Sequence, residues 1–291
     1  MRKKLPVAIV IFTFAFTRFA QAVPAGAQNS ALYSLRETIQ SPAVNSGGKK
    51  KEDFIKPSRP TAAEPAEIQK AGVLQLEFGL DAGFDAEEFR NQQATPLSLR
   101  FAAASRLLLA FQIEAVKSQV DPSGIRMTGV GDTELGIQVV SLKQADNHPA
   151  IAFAYFSKLP TASEKKGLGS GRTNHRVVLL ISKRLYGINL DFNATYLNVG
   201  RKDSDRRADG GRFALALSHK FGSHFGVAGE LAGQNLEYAA PRGLYPFGAV
   251  TYQVNRRLRF DAGLRFGVGA EAPKVSLVTG FTVGLVDLYD K

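Results

Sequence analysis

The stretch LRFDAGLRF, residues 258–266, decides the fold class of this 291-residue chain. Apolar or small residues alternate with Arg259, Asp261 and Arg265 along it. A period of two places successive side chains on opposite faces of a β-strand. One face of this strand is therefore apolar and the other is charged, which is typical of a strand that separates an apolar medium from water.

The same alternation returns along the chain after residue 72, for example at residues 74–80 and 188–196. Turn residues separate the alternating runs, as expected for consecutive antiparallel strands. The sequence predicts about twelve strands, near residues 73–81, 96–103, 106–115, 133–142, 150–158, 175–185, 188–198, 212–221, 224–233, 245–253, 257–267 and 275–287.

The connections between these strands alternate in length. Tight connections such as residues 186–187 and 222–223 alternate with longer polar ones such as residues 116–132 and 159–174. Short turns on one rim and long loops on the other are typical of outer-membrane barrels. We expect an all-β fold, a transmembrane antiparallel β-barrel of about twelve strands, with both chain ends at the periplasmic short-turn rim.

The main alternative is a soluble β-sandwich, and the charged faces argue against it. A dry core could not hold so many unpaired charges, whereas a wet lumen can. Aromatic residues at strand ends, such as Tyr186 and Phe221, would suit membrane interfaces. The residues expected to line the lumen, where they would hold water and set charge selectivity, are Glu77, Arg100, Gln112, Glu114, Glu134, Gln138, Asp191, Asn193, Glu230, Asp261 and Arg265.

The N-terminus predicts export. Residues 1–4 are basic, residues 5–16 are apolar, and Ala20-Gln21-Ala22 has the form cut by signal peptidases. A second candidate cut follows Ala27, and a retained anchor is the alternative. We expect residues 1–22 to be a signal peptide, residues 23–72 a flexible periplasmic tail, and residues 73–291 the outer-membrane β-barrel.

Composition gives little support for catalysis. The chain has no Cys, which excludes disulfides, thiol nucleophiles and Cys-ligated metals. None of its four His residues has the spacing of a metal motif. Ser218 and His219 are neighbours on a strand and face opposite sides. We therefore predict no catalytic residue, no cofactor and no metal, and the dispersed basic residues of an exported chain predict no nucleic-acid partner. A lipid-modifying enzyme remains the less favoured alternative.

Short motifs carry a resemblance to a known family. The string Gly129–Leu135 reads GVGDTEL, a later run reads SKLPT over residues 157–161, and a glycine-rich loop follows at residues 167–171. Residues 195–200 read TYLNVG. The chain resembles, over about residues 73–286, the outer-membrane barrels of the MetA pathway of phenol degradation, which are often called transporters. The resemblance implies uptake of apolar or aromatic compounds.

The expected function is passive passage of small, apolar or aromatic solutes, with a structural or adhesion barrel without flux as the alternative. Outer-membrane lipid and lipopolysaccharide are expected partners, because basic pairs at 165–166, 201–202 and 206–207 fall in long loops. The resemblance also implies the barrel-assembly machinery, which reads a terminal aromatic. Here Tyr289 is followed by Asp290 and Lys291.

Overall fold

The computed structural model describes residues 53–86, 89–169, 171–201, 205–236, 242–269 and 272–290. A single 3-10 turn lies at Glu164–Lys166, and within the described ranges no helix is long and apolar enough to cross a membrane. The strands are β1 Val73–Phe84, β2 Asn91–Ala104, β3 Leu107–Val120, β4 Arg126–Gly129, β5 Thr133–Leu142, β6 Ala150–Leu159, β7 Asn174–Leu185, β8 Ile188–Gly200, β9 Arg207–Phe221, β10 Phe225–Leu236, β11 Gly243–Asn255, β12 Leu258–Phe266 and β13 Val275–Asp287.

Twelve of these strands close into one antiparallel barrel. Each pairs with its neighbours along the chain, and β1 pairs with β13 from Val73↔Asp287 to Phe84↔Val275, which closes the sheet. The short β4 pairs only with the outer end of β3, among the described residues. Closure pairs each of the twelve strands on both sides, as a bilayer requires, whereas the second edge of the short β4 has no partner strand in the described part of the chain. The predicted barrel of about twelve strands is confirmed.

The outer face of the barrel is apolar. Large side chains such as Phe153 and Val250 are more than half exposed, at 53% and 58%. The aromatic residues that the sequence placed at strand ends are exposed as well, with Tyr186 at 85% and Phe221 at 56%. Such a continuous exposed apolar surface is stable only against lipid.

The family motifs tie two long loops together at one rim. Asp132 is buried, accepts a hydrogen bond from the Ala162 backbone N–H at 3.0 Å, and pairs with Lys158 at 3.2 Å. The Thr133 N–H donates to the Thr161 hydroxyl at 2.9 Å. A side chain at Gly131 would collide with Glu114, so a glycine is required there. The two motifs therefore have a structural role, in shaping the long-loop rim.

Residues 53–72, which we call the plug, lie inside the barrel. The Lys70 N–H donates to the Asp53 carbonyl at 2.8 Å, so the plug begins and ends at the same rim. That rim carries the short turns, because the Gly72 N–H bonds the Ala102 carbonyl at the end of β2. Ala63 and Ala66 at its centre are 1% and 0% exposed. The plug is a loop that rises into the lumen and returns.

This position differs from the flexible periplasmic tail predicted for residues 23–72. From Asp53 onward the described chain is held inside the barrel, since the lumen wall supplies hydrogen-bond partners that the segment lacks within itself. The signal peptide predicted for residues 1–22, and residues 23–52, lie outside the described residues. The boundaries of those two segments stay predictions.

Candidate functional site

Side chains of the lumen wall bind the backbone of the plug. Gln75 on β1 accepts from the Lys56 N–H at 2.8 Å and donates to the Lys56 carbonyl at 3.1 Å. Glu77, two residues along the same strand face, accepts from the Ser58 N–H at 2.9 Å and from its hydroxyl at 2.6 Å. One strand therefore holds the rising half of the plug in an extended conformation.

The opposite wall holds the returning half of the plug. Glu230 on β10 accepts from the Ala63 N–H at 2.7 Å. Asn193 on β8 binds both backbone groups of Glu64, at 2.7 and 2.9 Å. The amide of Gln138 on β5 donates to the Ala66 carbonyl at 3.1 Å. These contacts satisfy backbone groups that would otherwise be buried without partners.

A serine on β7 completes this set. The Ser182 hydroxyl accepts from the Ala66 N–H at 2.8 Å and donates to Asp191 at 2.5 Å. Asp191 therefore supports the plug through the Ser182 hydroxyl, and its charge also acts on Lys56 and Glu67 of the plug. Strands β1, β5, β7, β8 and β10 thus all contribute to one continuous cradle.

Arg59 is an ionic anchor of the plug. Its guanidinium pairs with Asp261 on β12 at 3.0 Å and donates to the Thr279 carbonyl at 2.8 Å. The group lies flat on two paired glycines, Gly79 and Gly280. A Cβ at Gly79 would come within 2.5 Å of the guanidinium carbon. The glycines therefore leave the space that the anchor occupies.

Substitution Gly79→Ala should loosen the plug. Overpacking of this kind costs about 1–3 kcal/mol, because Arg59 must leave Asp261 to make room. Cleavage of the plug by proteinase K should then be about five- to 150-fold faster, as the undocked population rises. Gly248→Ala is the control, since a Cβ at Gly248 meets no atom within 4 Å. Equal cleavage rates in the two variants would contradict this role of Gly79.

The base of the plug is fastened to the last strand. The Lys70 ammonium donates to Asp287 at 2.7 Å and to Asp290 at 3.0 Å. The hydrogen bond to Asp287, and then that to Asp290, hold the pKa of Lys70 above its ordinary value. This clasp therefore stays ionised to higher pH than a free lysine would.

A cavity of about 380 Å³ lies above the tip of the plug, towards the long loops. We call it the vestibule. Its floor is the plug tip, residues 58–64, and its wall includes the outer ends of β5, β7, β9 and β12. Charged groups dominate the wall, with Asp81, Glu134, Arg176, Arg212 and Arg265 among them.

Most of these charges form ion pairs. Arg176 donates two parallel hydrogen bonds to Glu134, both 3.0 Å long, and lies 3.5 Å from Glu64 of the plug. Its guanidinium also stacks over the Phe156 ring, 3.4 Å from the centroid. Bidentate pairs of this kind are strong and fix geometry. They give the vestibule a rigid polar wall on this side.

The eleven residues predicted to line the lumen fall into three groups. Seven of them hold the plug or contact a residue that holds it, and three others line the vestibule. The eleventh, Glu114, pairs with Lys117 at 3.5 Å near the long-loop end of β3. The first group is Glu77, Arg100, Gln138, Asp191, Asn193, Glu230 and Asp261, and the second is Gln112, Glu134 and Arg265. Their predicted part in solute passage is not tested by these positions.

Sequence reasoning missed several residues of the site. Gln75 and Ser182 also lie at inward positions of their strands, as the predicted Gln112 and Gln138 do, and were not selected. Arg176 and Arg212 alternate with apolar neighbours in the same way as the predicted residues, and that signal could have found them. Nothing local marks Arg59, because its partners lie on distant strands.

The described residues offer no metal site, since no three His, Asp or Glu side chains come together there in a suitable way. Ser218 accepts a hydrogen bond from Asn189, whereas His219 contacts the Gly187 carbonyl and the Phe221 ring. The two side chains therefore do not form a catalytic dyad. The contacts that the described side chains make here are hydrogen bonds and ion pairs to the plug.

A closed twelve-stranded barrel with an apolar outer surface and a polar interior defines an outer-membrane β-barrel protein. The protein is of this class and lies in the outer membrane. The chain belongs to the family described as "Putative MetA-pathway of phenol degradation", whose model matches residues 58–283. The matched region includes most of the plug.

Solved structures show the same fold. An outer membrane channel from Pseudomonas putida F1 is similar at 12% identity and a TM-score of 0.57, over 76% of this chain and 98% of that chain. The NanC porin is similar at 9% identity and a TM-score of 0.50, over 73% and 99%. No curated protein matches this chain in sequence. At these identities the likenesses concern the fold alone.

Proposed function

We propose that this protein allows passive passage of small, apolar or aromatic solutes across the outer membrane, with the plug as its gate. The observation that carries the proposal is the vestibule of about 380 Å³, whose floor is a plug that side chains of the wall hold in place. A barrel that served only as a scaffold would need no vestibule. The family description, which concerns phenol degradation, supports an aromatic solute.

The contacts of the plug suit a segment that moves. The apolar side chains at its tip are small: buried Ala63 and partly buried Ala62 pack on other alanines, Ala214 and Ala216. Small side chains bury little apolar area and therefore stabilise the docked plug weakly. Water can replace most of the remaining contacts, which are hydrogen bonds to wall side chains.

The predicted lumen residues have two roles in this proposal. Gln112, Glu134 and Arg265 would contact a solute in the vestibule and set charge selectivity. The seven residues that hold the plug would line the path once the plug withdraws. Because they are polar, they would keep that path hydrated.

The surroundings proposed for the barrel follow from its rims. Lys165 and Lys166 lie in a long loop, where their ammonium groups would meet lipopolysaccharide phosphates. Insertion would require export through the signal peptide and the barrel-assembly machinery. Outer-membrane lipid would cover the apolar belt.

Solute flux into vesicles tests the proposal. Purified full-length protein in vesicles should admit benzoate faster than protein-free vesicles do, while arabinose should enter at the background rate. The aromatic solute is smaller than the sugar in cross-section and matches the narrow lumen of a twelve-stranded barrel. Equal and negligible flux of both solutes would exclude the proposal.

A structural or adhesion barrel without flux is the second candidate. The plug favours it, because the described segment fills the lumen below the vestibule. A sealed barrel predicts that the plug stays docked under all conditions. Proteinase K should then leave the plug intact in the folded protein for as long as it leaves the strands intact.

A further inference from the structure

Arg212 stands apart from the other charged residues of the vestibule. It lies on the inner face of β9, beside buried Thr195 of β8, and contributes to the cavity wall. The side chain of Arg212 forms no hydrogen bond or ion pair with any residue that the structure describes. Its guanidinium therefore keeps five unused donors next to open space.

None of the carboxylates of the vestibule forms an ion pair with Arg212. Each lies within 4.0 Å of the guanidinium of another arginine, as the pairs Asp81–Arg265, Glu134–Arg176, Glu64–Arg176 and Glu77–Arg100 show, at 3.1, 3.0, 3.5 and 3.6 Å. Glu64, Glu134 and Glu230 attract Arg212 without forming an ion pair with it, and the like charge of Arg176 repels it. An added anion would stabilise Arg212 and weaken that repulsion.

The same cavity offers an apolar surface to the rest of such an anion. Pro60 and Ala62 of the plug tip line it, as do Pro96 of β2 and Val278 of β13. A ring could rest on these side chains while its charged group faced the guanidinium. The volume of about 380 Å³ admits a single small organic molecule.

We propose that the vestibule is a binding site for small aromatic carboxylates, with Arg212 as the residue that binds the carboxylate group. The inference rests on the proposed function, since it names the chemical class of the solute that stops above the plug. A planar guanidinium suits a carboxylate because it can donate two parallel hydrogen bonds. A neutral aromatic amide of the same shape lacks the charge and should bind weakly.

Equilibrium dialysis of the full-length protein in detergent, with radiolabelled benzoate and benzamide, tests this site. The wild-type protein should bind benzoate at one site and prefer it to benzamide. Arg212→Gln should weaken benzoate binding about ten- to a hundredfold, because it removes a charge-assisted hydrogen bond. Arg212→Lys keeps the charge but loses the planar pair of donors. Its benzoate affinity should fall between those of the wild type and Arg212→Gln.

Arg256→Gln is the matched control, as Arg256 is exposed in the short turn between β11 and β12, outside the vestibule. Benzoate binding that is absent from the wild type, or unchanged in Arg212→Gln, would overturn the inference. If Arg212→Gln fails to fold, the benzoate preference of the wild type and the Arg212→Lys affinity decide the question. Benzoate binding without benzoate flux into vesicles would keep the site and exclude the proposed function.

Discussion

Deletion of residues 54–69 is expected to raise the single-channel conductance of the barrel by an order of magnitude or more. The deletion removes the segment whose backbone is bound by Gln75, Asn193 and Glu230 and leaves a lumen of twelve strands. Those wall groups would then be hydrated, so the barrel itself should still fold. Planar-bilayer recording measures the conductance, and heat-modifiable gel mobility checks the fold.

A deletion of equal length upstream, residues 30–45, serves as the control. It shortens the chain without touching a described plug contact, so its conductance should match that of the full-length protein. Unchanged conductance after deletion of residues 54–69 would show that another element closes the lumen. The gate proposed here would then be wrong, although the barrel fold would not be affected.

Loss of the Arg59 anchor is expected to have the next largest effect. Arg59→Gln leaves the Asp261 carboxylate, whose side chain is 1% exposed, without its 3.0 Å partner. The free energy that favours the docked plug over the undocked one should fall by about 1.5–3 kcal/mol, the range for hydrogen bonds to charged groups. The loss stays below the cost of an isolated buried charge, since the charge of Arg259 also acts on Asp261.

Single-channel open probability and proteinase K cleavage of the plug both report this loss. The double variant Arg59→Gln with Asp261→Asn removes both charges and should recover part of the docking, which a double-mutant cycle measures. Lys56→Gln is the control, because the 3.1 Å ion pair of Lys56 joins it to Glu67 within the plug. If Arg59→Gln opened the channel no more often than Lys56→Gln, the anchor would have no energetic role.

The Gly79 and Arg59 experiments inform each other, because both residues contribute to the same contact. Gly79→Ala and Arg59→Gln act on the same contact from opposite sides, so their effects on plug cleavage should not add. Variants of Arg212 should change plug cleavage far less than Arg59→Gln does, because Arg212 forms no hydrogen bond or ion pair with a described residue of the plug. The gate and the binding site can therefore be separated by experiment.

The inner face of the barrel was more predictable than the purpose of its side chains. Period-two alternation correctly selected residues such as Glu77 and Asn193 as inward-facing, because that period is a local property of a strand. The alternation could not indicate what those side chains contact. Water was the expected neighbour of Glu230, whereas the structure places the Ala63 N–H there at 2.7 Å.

The amino-acid sequence alone determined the barrel, its twelve strands, its two unlike rims and its family, since each rests on patterns that neighbouring residues carry. Only the tertiary structure revealed the plug and the vestibule. The hydrogen bonds of the plug join residues far apart in the chain, for example the 202 positions between Arg59 and Asp261. A segment whose partners lie on other strands has no internal period, so its conformation is decided by the wall around it.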